Sequence, residues 1–306
     1  MDAREFLGLR ETHNPHRWCL EVVPGICTDE MFLFGGCALG AAIDAMERTT
    51  GRPAIWATAQ YLSFAHPPEI VDIDVTVASA GHNTTQARVV AHVADREILT
   101  VNAALGTRAD KHAGQWAVMP DVPTPGEAPA RVRPVQSPDG KESIAQRLEM
   151  RLARGRDFFD YDGTRSDGQA ALWCRIPAHL GMSAATLAIL GDYVPFGVGQ
   201  GLGEYVGGNS LDNTIRICRL VPTEWVLIDV RVDTVANGFG HGTVHLWAED
   251  GTLLATASQS CIVREWQGAK RVRGRRRPRA RRSLTRARVA QASPASVRAS
   301  RRSWSA

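Results

Sequence analysis

The chain has 306 residues, 44 % of them hydrophobic, with 36 Lys and Arg against 32 Asp and Glu, a net charge of +4. That length suits two domains of ordinary size, and no run approaches the ~20 apolar residues a membrane helix needs. The charged start MDAREFLGLRETHNPHR lacks a signal-peptide core, and six scattered cysteines (19, 27, 37, 174, 218 and 261) with no Cys-x-x-Cys pair read as reduced thiols of a cytoplasmic protein, with no zinc spacing.

In chain order, GGCALGAAIDAMERTTG (35–51) has helical spacing with Gly at both ends. PAIWATAQYLSFA (53–65) is rich in strand formers, and IVDIDVTVASA (70–80) alternates strictly, Val71, Ile73, Val75 and Val77 against Ile70, Asp72, Asp74 and Thr76. TQARVVAHVAD (85–95) and EILTVNAALGTR (97–108) complete a meander of half-buried strands. Residues 118–140 hold six of the sixteen prolines and read as a linker or a long surface crossover.

The second region repeats the order. ALWCRIPA (171–178) reads as a strand, and SAATLAILGDY (183–193) as a buried helix with Ser183 as its N-cap. Asp192 then falls at the helix C-terminus, the unfavourable end of the dipole for a carboxylate, in an apolar neighbourhood that costs it hydration. The strands NSLDNTIRICRL (209–220), EWVLIDVRVDTVA (224–236), GHGTVHLWAED (240–250) and TLLATASQSCIVR (252–264) follow, the last two joined at an Asp-Gly turn. Beyond lies a basic tail: 14 of the 36 Lys and Arg stand at or after Lys270 with no acid among them, which leaves 22 bases against 32 acids in the body, about −10. Its low complexity and lack of large apolar residues mark it as disordered, and it could bind anions such as nucleic acid or anionic lipid non-specifically.

The halves align with each other. The segment from Pro67 matches the segment from Pro222 strand for strand, an offset of about 155 residues, as in an internal duplication of one helix and one antiparallel sheet. A helix apolar on nearly all sides suits a sheet that curls around it. The expected division is an N-terminal domain over 1–117, the Pro-rich linker 118–140, a C-terminal domain over 141–268 and the tail 269–306.

Several strings in this order resemble the acyl-CoA thioesterase II family: FGGCALGAAIDA (34–45), QYLSFAHP (60–67) and GHNTTQARV (81–89) in the first half, then LGDYVP (190–195), NSLDNTIRI (209–217), EWVLID (224–229) and DGTLLATASQSCIVR (250–264). The likeness covers roughly residues 15–265. It implies an α+β double hotdog, with two long central helices each wrapped by a curled antiparallel β-sheet. It also implies hydrolysis of an acyl-CoA thioester to free acid and CoA with no metal, no cofactor and no covalent intermediate, in a homo-oligomer. In the family the attacking water is held by an Asp after the second helix, a Thr or Ser on the next strand and a Gln on the last; here these positions carry Asp192, Ser210 and Gln259. Ser keeps the donor and acceptor of Thr but lacks the methyl that fixes its rotamer.

Such a set is chemically sufficient. A carboxylate takes the proton of a water, a hydroxyl and an amide orient that water, and a thiolate leaves readily. The offset places Gln259 over Ala103 and the other two over apolar neighbourhoods, which fits one site per chain, as does simple drift. Structural alternatives stand beside each role: Asp192 as a helix stop in an Asx-type turn, Ser210 as an ordinary strand residue, Gln259 as an exposed one, and Asp212 as a rival acid if alternation puts it on the face of Ser210. Gly35 and Gly36 are expected to allow close backbone approach and to offer substrate a free helix N-terminus. Asp44 reads as a helix-surface residue, with Phe34 where some single-hotdog thioesterases have the His of His-Gly-Gly. His241 and His245 share a strand face but make a weak metal signal. There is no G-x-S-x-G and no phosphate-binding loop. A double-hotdog enoyl-CoA hydratase needs a His five residues past Asp192, where Gly197 stands. A non-catalytic acyl-CoA or lipid-binding module is the alternative from another class.

Overall fold

In the computed structural model the described residues are 1–109, 111–131, 142–177 and 181–265; the basic tail lies outside them. One antiparallel sheet of twelve strands runs through both halves. Its first-half strands are β1 (Leu9–Glu11), β2 (Arg17–Glu21), β3 (Ala54–Tyr61), β4 (Ile70–Ala80), β5 (Thr84–Val93) and β6 (Arg96–Gly106). The second half supplies β7 (Glu149–Arg154), β8 (Gln169–Arg175), β9 (Val206–Ile217), β10 (Val226–Ala236), β11 (Phe239–Ala248) and β12 (Leu253–Glu265). The order is β1-β2-β4-β5-β6-β3-β9-β12-β11-β10-β8-β7, so the halves join where β3 pairs with β9, with Thr58 opposite Thr214 and their hydroxyls 2.6 Å apart. The alternation read in 70–80 is kept: Val71, Ile73 and Val75 are buried on β4.

The helices are α1 (Ala3–Leu7), α2 (Gly35–Thr50), α3 (Ala184–Leu190) and α4 (Val194–Leu202). The long helix expected over 35–51 is α2; it packs on β3, β4, β5 and β6 and ends on Gly51 in the left-handed region, φ 65°. Gly36 and Gly40 bring it against the backbone of α3: an added Cβ would lie 2.9 Å from the carbonyls of Ala188 and Ile189, or of Ala185.

The second long helix is not formed. Ser183 caps α3 as expected, accepting the Thr186 N–H, but α3 stops at Leu190 and the chain restarts as α4 at Val194, with Pro195 in its first turn. Proline at N1 or N2 suits a helix start and resists continuation of the preceding turn. Asp192 therefore sits between two helices, just ahead of the N-terminus of α4 rather than on the unfavourable end of a long one. Of the three glycines of α4, Gly197 is demanded by packing. A Cβ on Gly197 would meet Val230 Cγ1 at 2.6 Å, and α4 lies across β8 to β12 at that spacing.

The described part of the Pro-rich segment is a crossover on the outer face of the second half. Ala117, Met119, Val122 and Ala128 cover the buried Trp173, Trp225 and Trp247; Trp173 Nε1 donates to the Pro123 carbonyl at 2.8 Å. All six cysteines are free thiols. Among the described residues no helix is long and apolar enough to cross a membrane.

Candidate active site

The break between α3 and α4 sets the Asp192 carboxylate over the inner face of β9 and β12. Ser210, on β9, donates to Asp192 Oδ1 at 3.1 Å; Gln259, on β12, donates its Nε2 to Asp192 Oδ1 and to Ser210 Oγ, the latter at 2.5 Å. The orientation of the Gln259 amide is set from its other end, where Oε1 accepts the Val194 N–H at 3.1 Å, an otherwise unpaired donor in the first turn of α4. With the carbonyl end so committed, the NH₂ end must face the acid.

A third bond to the carboxylate comes from the other half. The Gly36 backbone N–H bonds to the Asp192 carboxylate. Phe34, the residue before α2, offers no side-chain cap, which leaves the first-turn donors to the acid. Gly35 is the close approach: a Cβ there would lie 2.6 Å from Asp192 Oδ2 and 3.1 Å from the Tyr61 hydroxyl, which donates to the Gly35 carbonyl at 3.0 Å. Phe34 packs edge-on against Tyr193, centroids 6.4 Å apart. Gly35 and Gly36 thus seat the acid against the N-terminus of a sixteen-residue helix, where the dipole favours negative charge.

Asp192 is 6 % exposed and Gln259 3 %. Burial raises the Asp192 pKa above its ordinary 3.8, while the bonds from Gln259, Ser210 and Gly36 hold it down. The same burial, with Asp192 and Asp212 nearby, pushes the Tyr61 hydroxyl well above 10. The half-buried residues Gly35, Tyr61 and Ser210 form the solvent-facing side of the group. A raised, hydrogen-bonded carboxylate beside a hydroxyl and an amide is competent to hold and deprotonate a water.

The other candidates are set elsewhere. A bulge between Ser260 and Cys261, where β12 pairs with β9, breaks the alternation that would have put Asp212 beside Ser210; the Asp212 carboxylate instead accepts the Ser260 N–H at 2.9 Å. Asp44 is not on the surface: it is 7 % exposed and pairs with Arg48 at 2.6 Å, one turn along α2. His241 contacts Ser260 Oγ, and the His245 ring packs edge-on against Trp247. Among the described residues no group of three or more His, Cys, Asp or Glu is arranged to hold a metal ion.

Reading the sequence missed three residues in or beside this group. Val194 and Tyr61 act through a backbone donor and a second-layer hydroxyl that carry no sequence signature. Asn213 is the third: it stands opposite Gln259 in the β9–β12 register, 1 % exposed, and neither atom of its amide has a hydrogen-bond partner among the described residues. An amide at an inward position of a core strand, where the duplicated half has Ala57, was the available signal.

The comparisons agree with this architecture. A family model described as acyl-CoA thioesterase C-terminal domain matches residues 125–263. A protein of Novosphingobium aromaticivorans assigned as a thioesterase is 31 % identical, with 84 % of this chain and 98 % of that one covered and a TM-score of 0.75. A hot dog fold protein of unknown function from Alicyclobacillus acidocaldarius is 21 % identical over 86 % and 98 %, TM-score 0.75. TesB2, an acyl-CoA thioesterase II from Mycobacterium marinum, is 19 % identical over 87 % and 98 %, TM-score 0.67. No curated protein matches significantly. The chain belongs to the acyl-CoA thioesterase II family, and its neighbours have the hot dog fold.

Proposed function

We propose that the chain is a fatty acyl-CoA thioesterase whose water is held by Asp192, Ser210 and Gln259. The single observation that supports this best is that three polar side chains, far apart in sequence, form one hydrogen-bonded group, with Ser210 and Gln259 both donating to the same carboxylate oxygen of the buried Asp192. In the reaction the water attacks the thioester carbonyl carbon and passes a proton to Asp192. The carbonyl π pair moves to oxygen; collapse of the tetrahedral species breaks the C–S bond, and the thiolate of CoA leaves with the proton from Asp192. Ser210 and Gln259 orient the water through donor and acceptor atoms. Gly35 and Gly36 belong to the same site: they seat the acid and border the side from which substrate enters. No metal or cofactor takes part.

The same reading takes the architecture as a double hotdog, with α2 wrapped by β3–β6 and α4 by β8–β12, divided as an N-terminal unit over 1–117, a linker over 118–140, a C-terminal unit over 141–268 and the basic tail 269–306. The protein is cytoplasmic and works as a homo-oligomer, and its tail binds anions non-specifically. A hydratase reading finds no acid–base partner at Gly197, whose Cβ position is filled by Val230.

Thiol release from acyl-CoAs of graded chain length, followed with a thiol reagent, is the test. Turnover by the wild type that is lost in Asp192→Asn supports hydrolysis. Tight acyl-CoA binding with no release in either protein would instead make the chain a binding module.

A further inference from the structure

We infer that Asn213 is a further catalytic residue, whose side-chain amide donates to the carbonyl oxygen of the substrate and holds the negative charge that develops there. This rests on the thioesterase reading above.

Water attack places charge on the carbonyl oxygen, and an enzyme site supplies preorganised donors for it. The donors already described are engaged: the Gly36 N–H bonds to Asp192, the Val194 N–H to Gln259 Oε1, and Gln259 Nε2 to Asp192 and Ser210. Asn213 is not engaged. It stands directly across from Gln259 in the antiparallel β9–β12 pair and across from Ala59 in the β3–β9 pair. Residues opposed in this way share a face and have Cβ atoms about 5 Å apart, so the Asn213 amide lies on the inner face, one side chain from the group that holds the acid. It is 1 % exposed, and both Nδ2 and Oδ1 lack a hydrogen-bond partner among the described residues. A buried amide left unpaired weakens a folded chain, and groups of this kind concentrate at functional sites.

The first half gives a control. The offset that carries Gln259 onto Ala103 carries Asn213 onto Ala57, and Ala57 and Ala103 are themselves a cross-strand pair in β3–β6. The amide pair Asn213–Gln259 thus replaces an alanine pair only in the half that carries Asp192. A packing role would be filled by a small apolar residue, as it is at Ala57.

The balance of the step is unchanged: the C–O bond forms, the π electrons pass to the carbonyl oxygen facing Asn213 Nδ2–H, and they return as the C–S bond breaks. The donor is present throughout and exchanges no proton.

The experiment uses the full chain, Asn213→Leu, which is close in shape and apolar, with Asn213→Ser as a second variant should the first fail to fold. Expected is a fall of about 10²-fold in kcat with acyl-CoA, with a thermal midpoint equal to or above the wild type's. Binding of two unreactive analogues separates the contact from turnover. A ketone analogue, with CH₂ for sulfur, keeps the carbonyl and should bind more weakly to the variants. A thioether analogue, which has no carbonyl, should bind as to the wild type. Activity within about twofold of wild type, or equal loss of both analogues, overturns the assignment. A wild type that hydrolyses no acyl-CoA refutes the thioesterase reading instead, and the analogue pair then decides on Asn213 alone: selective loss of the ketone supports the carbonyl contact, and its absence overturns it.

Discussion

The backbone N–H of Gly36 donates to the carboxylate of Asp192, so the first turn of a helix from one half caps the acid of the other. The neighbouring Gly35 is what permits it, because a Cβ there would stand 2.6 Å from Asp192 Oδ2. Gly35→Ala should displace the carboxylate and lower kcat/KM on the order of 10²-fold, the scale of an ångström-sized misplacement. A circular dichroism spectrum and thermal midpoint close to wild type would show that the loss is local; full activity in the variant would mean that the seat is dispensable.

Asp192 also sets a pH dependence. Burial raises its pKa above 3.8, so between that unfolded value and the higher folded value the native chain binds more protons than the unfolded one. Stability therefore falls as pH rises through this window, and the penalty is complete above it. Asp192→Asn removes the penalty: its melting temperature should exceed the wild type's at pH 7, with the difference closing below about pH 4. In the proposed mechanism Asp192 must be ionised to act as base, so kcat/KM of the wild type should fall on the acid side with an apparent pKa above the ordinary carboxylate range. A less stable Asp192→Asn at pH 7 would contradict the assignment of burial as the dominant cause.

Gln259 carries more contacts than Ser210, and its loss should cost more. Gln259→Ala removes the donor to Asp192 and Ser210 and strands the Val194 N–H at the start of α4. The expected destabilisation is about 1–3 kcal/mol, with a rate loss of about 10²-fold or more. Ser210→Ala, at a half-buried position, should lose about tenfold in rate and little stability. Comparison of the two in urea unfolding and steady-state kinetics checks the order, and the reverse order would exclude Gln259 as the organiser.

The outer-face crossover should contribute to stability without touching the chemistry. Trp173 is 2 % exposed beneath it and donates to the Pro123 carbonyl. Trp173→Ala should cost about 3–5 kcal/mol, seen as a lower urea midpoint, while kcat of the folded protein stays near wild type. A proportional loss of kcat would tie the crossover to the site.

Much of the fold was legible because burial writes itself into periodicity. The α2 stretch and the β4 alternation were read to within a residue or two, since one face of each must be apolar. The Asp-Gly turn between β11 and β12 was equally plain: Gly251 takes φ 83°, and the Ala248 and Thr252 backbones bond across it. α4 was hidden because VPFGVGQGL, with three glycines and a proline, has the composition of a loop; Gly197 answers to Val230 and Val232 on β10, which no local pattern announces. The edge strands β1 and β7, and β2 beside β1, were missed as short and mixed in polarity. At the site, Asp192, Ser210 and Gln259 were found by likeness to a family. Physics alone left Asp212 in contention, because a bulge that flips the face of a strand leaves no trace in residue order.

The candidate site draws on both sides of the seam between β3 and β9. Phe34, Gly35, Gly36 and Tyr61 precede the crossover; Asp192, Ser210 and Gln259 follow it. Severed there and made as two fragments, each piece would keep a helix and most of its strands, yet neither would own a working centre. Reassociation alone would restore it: in the proposed reading, the half without the acid serves as the wall that holds it.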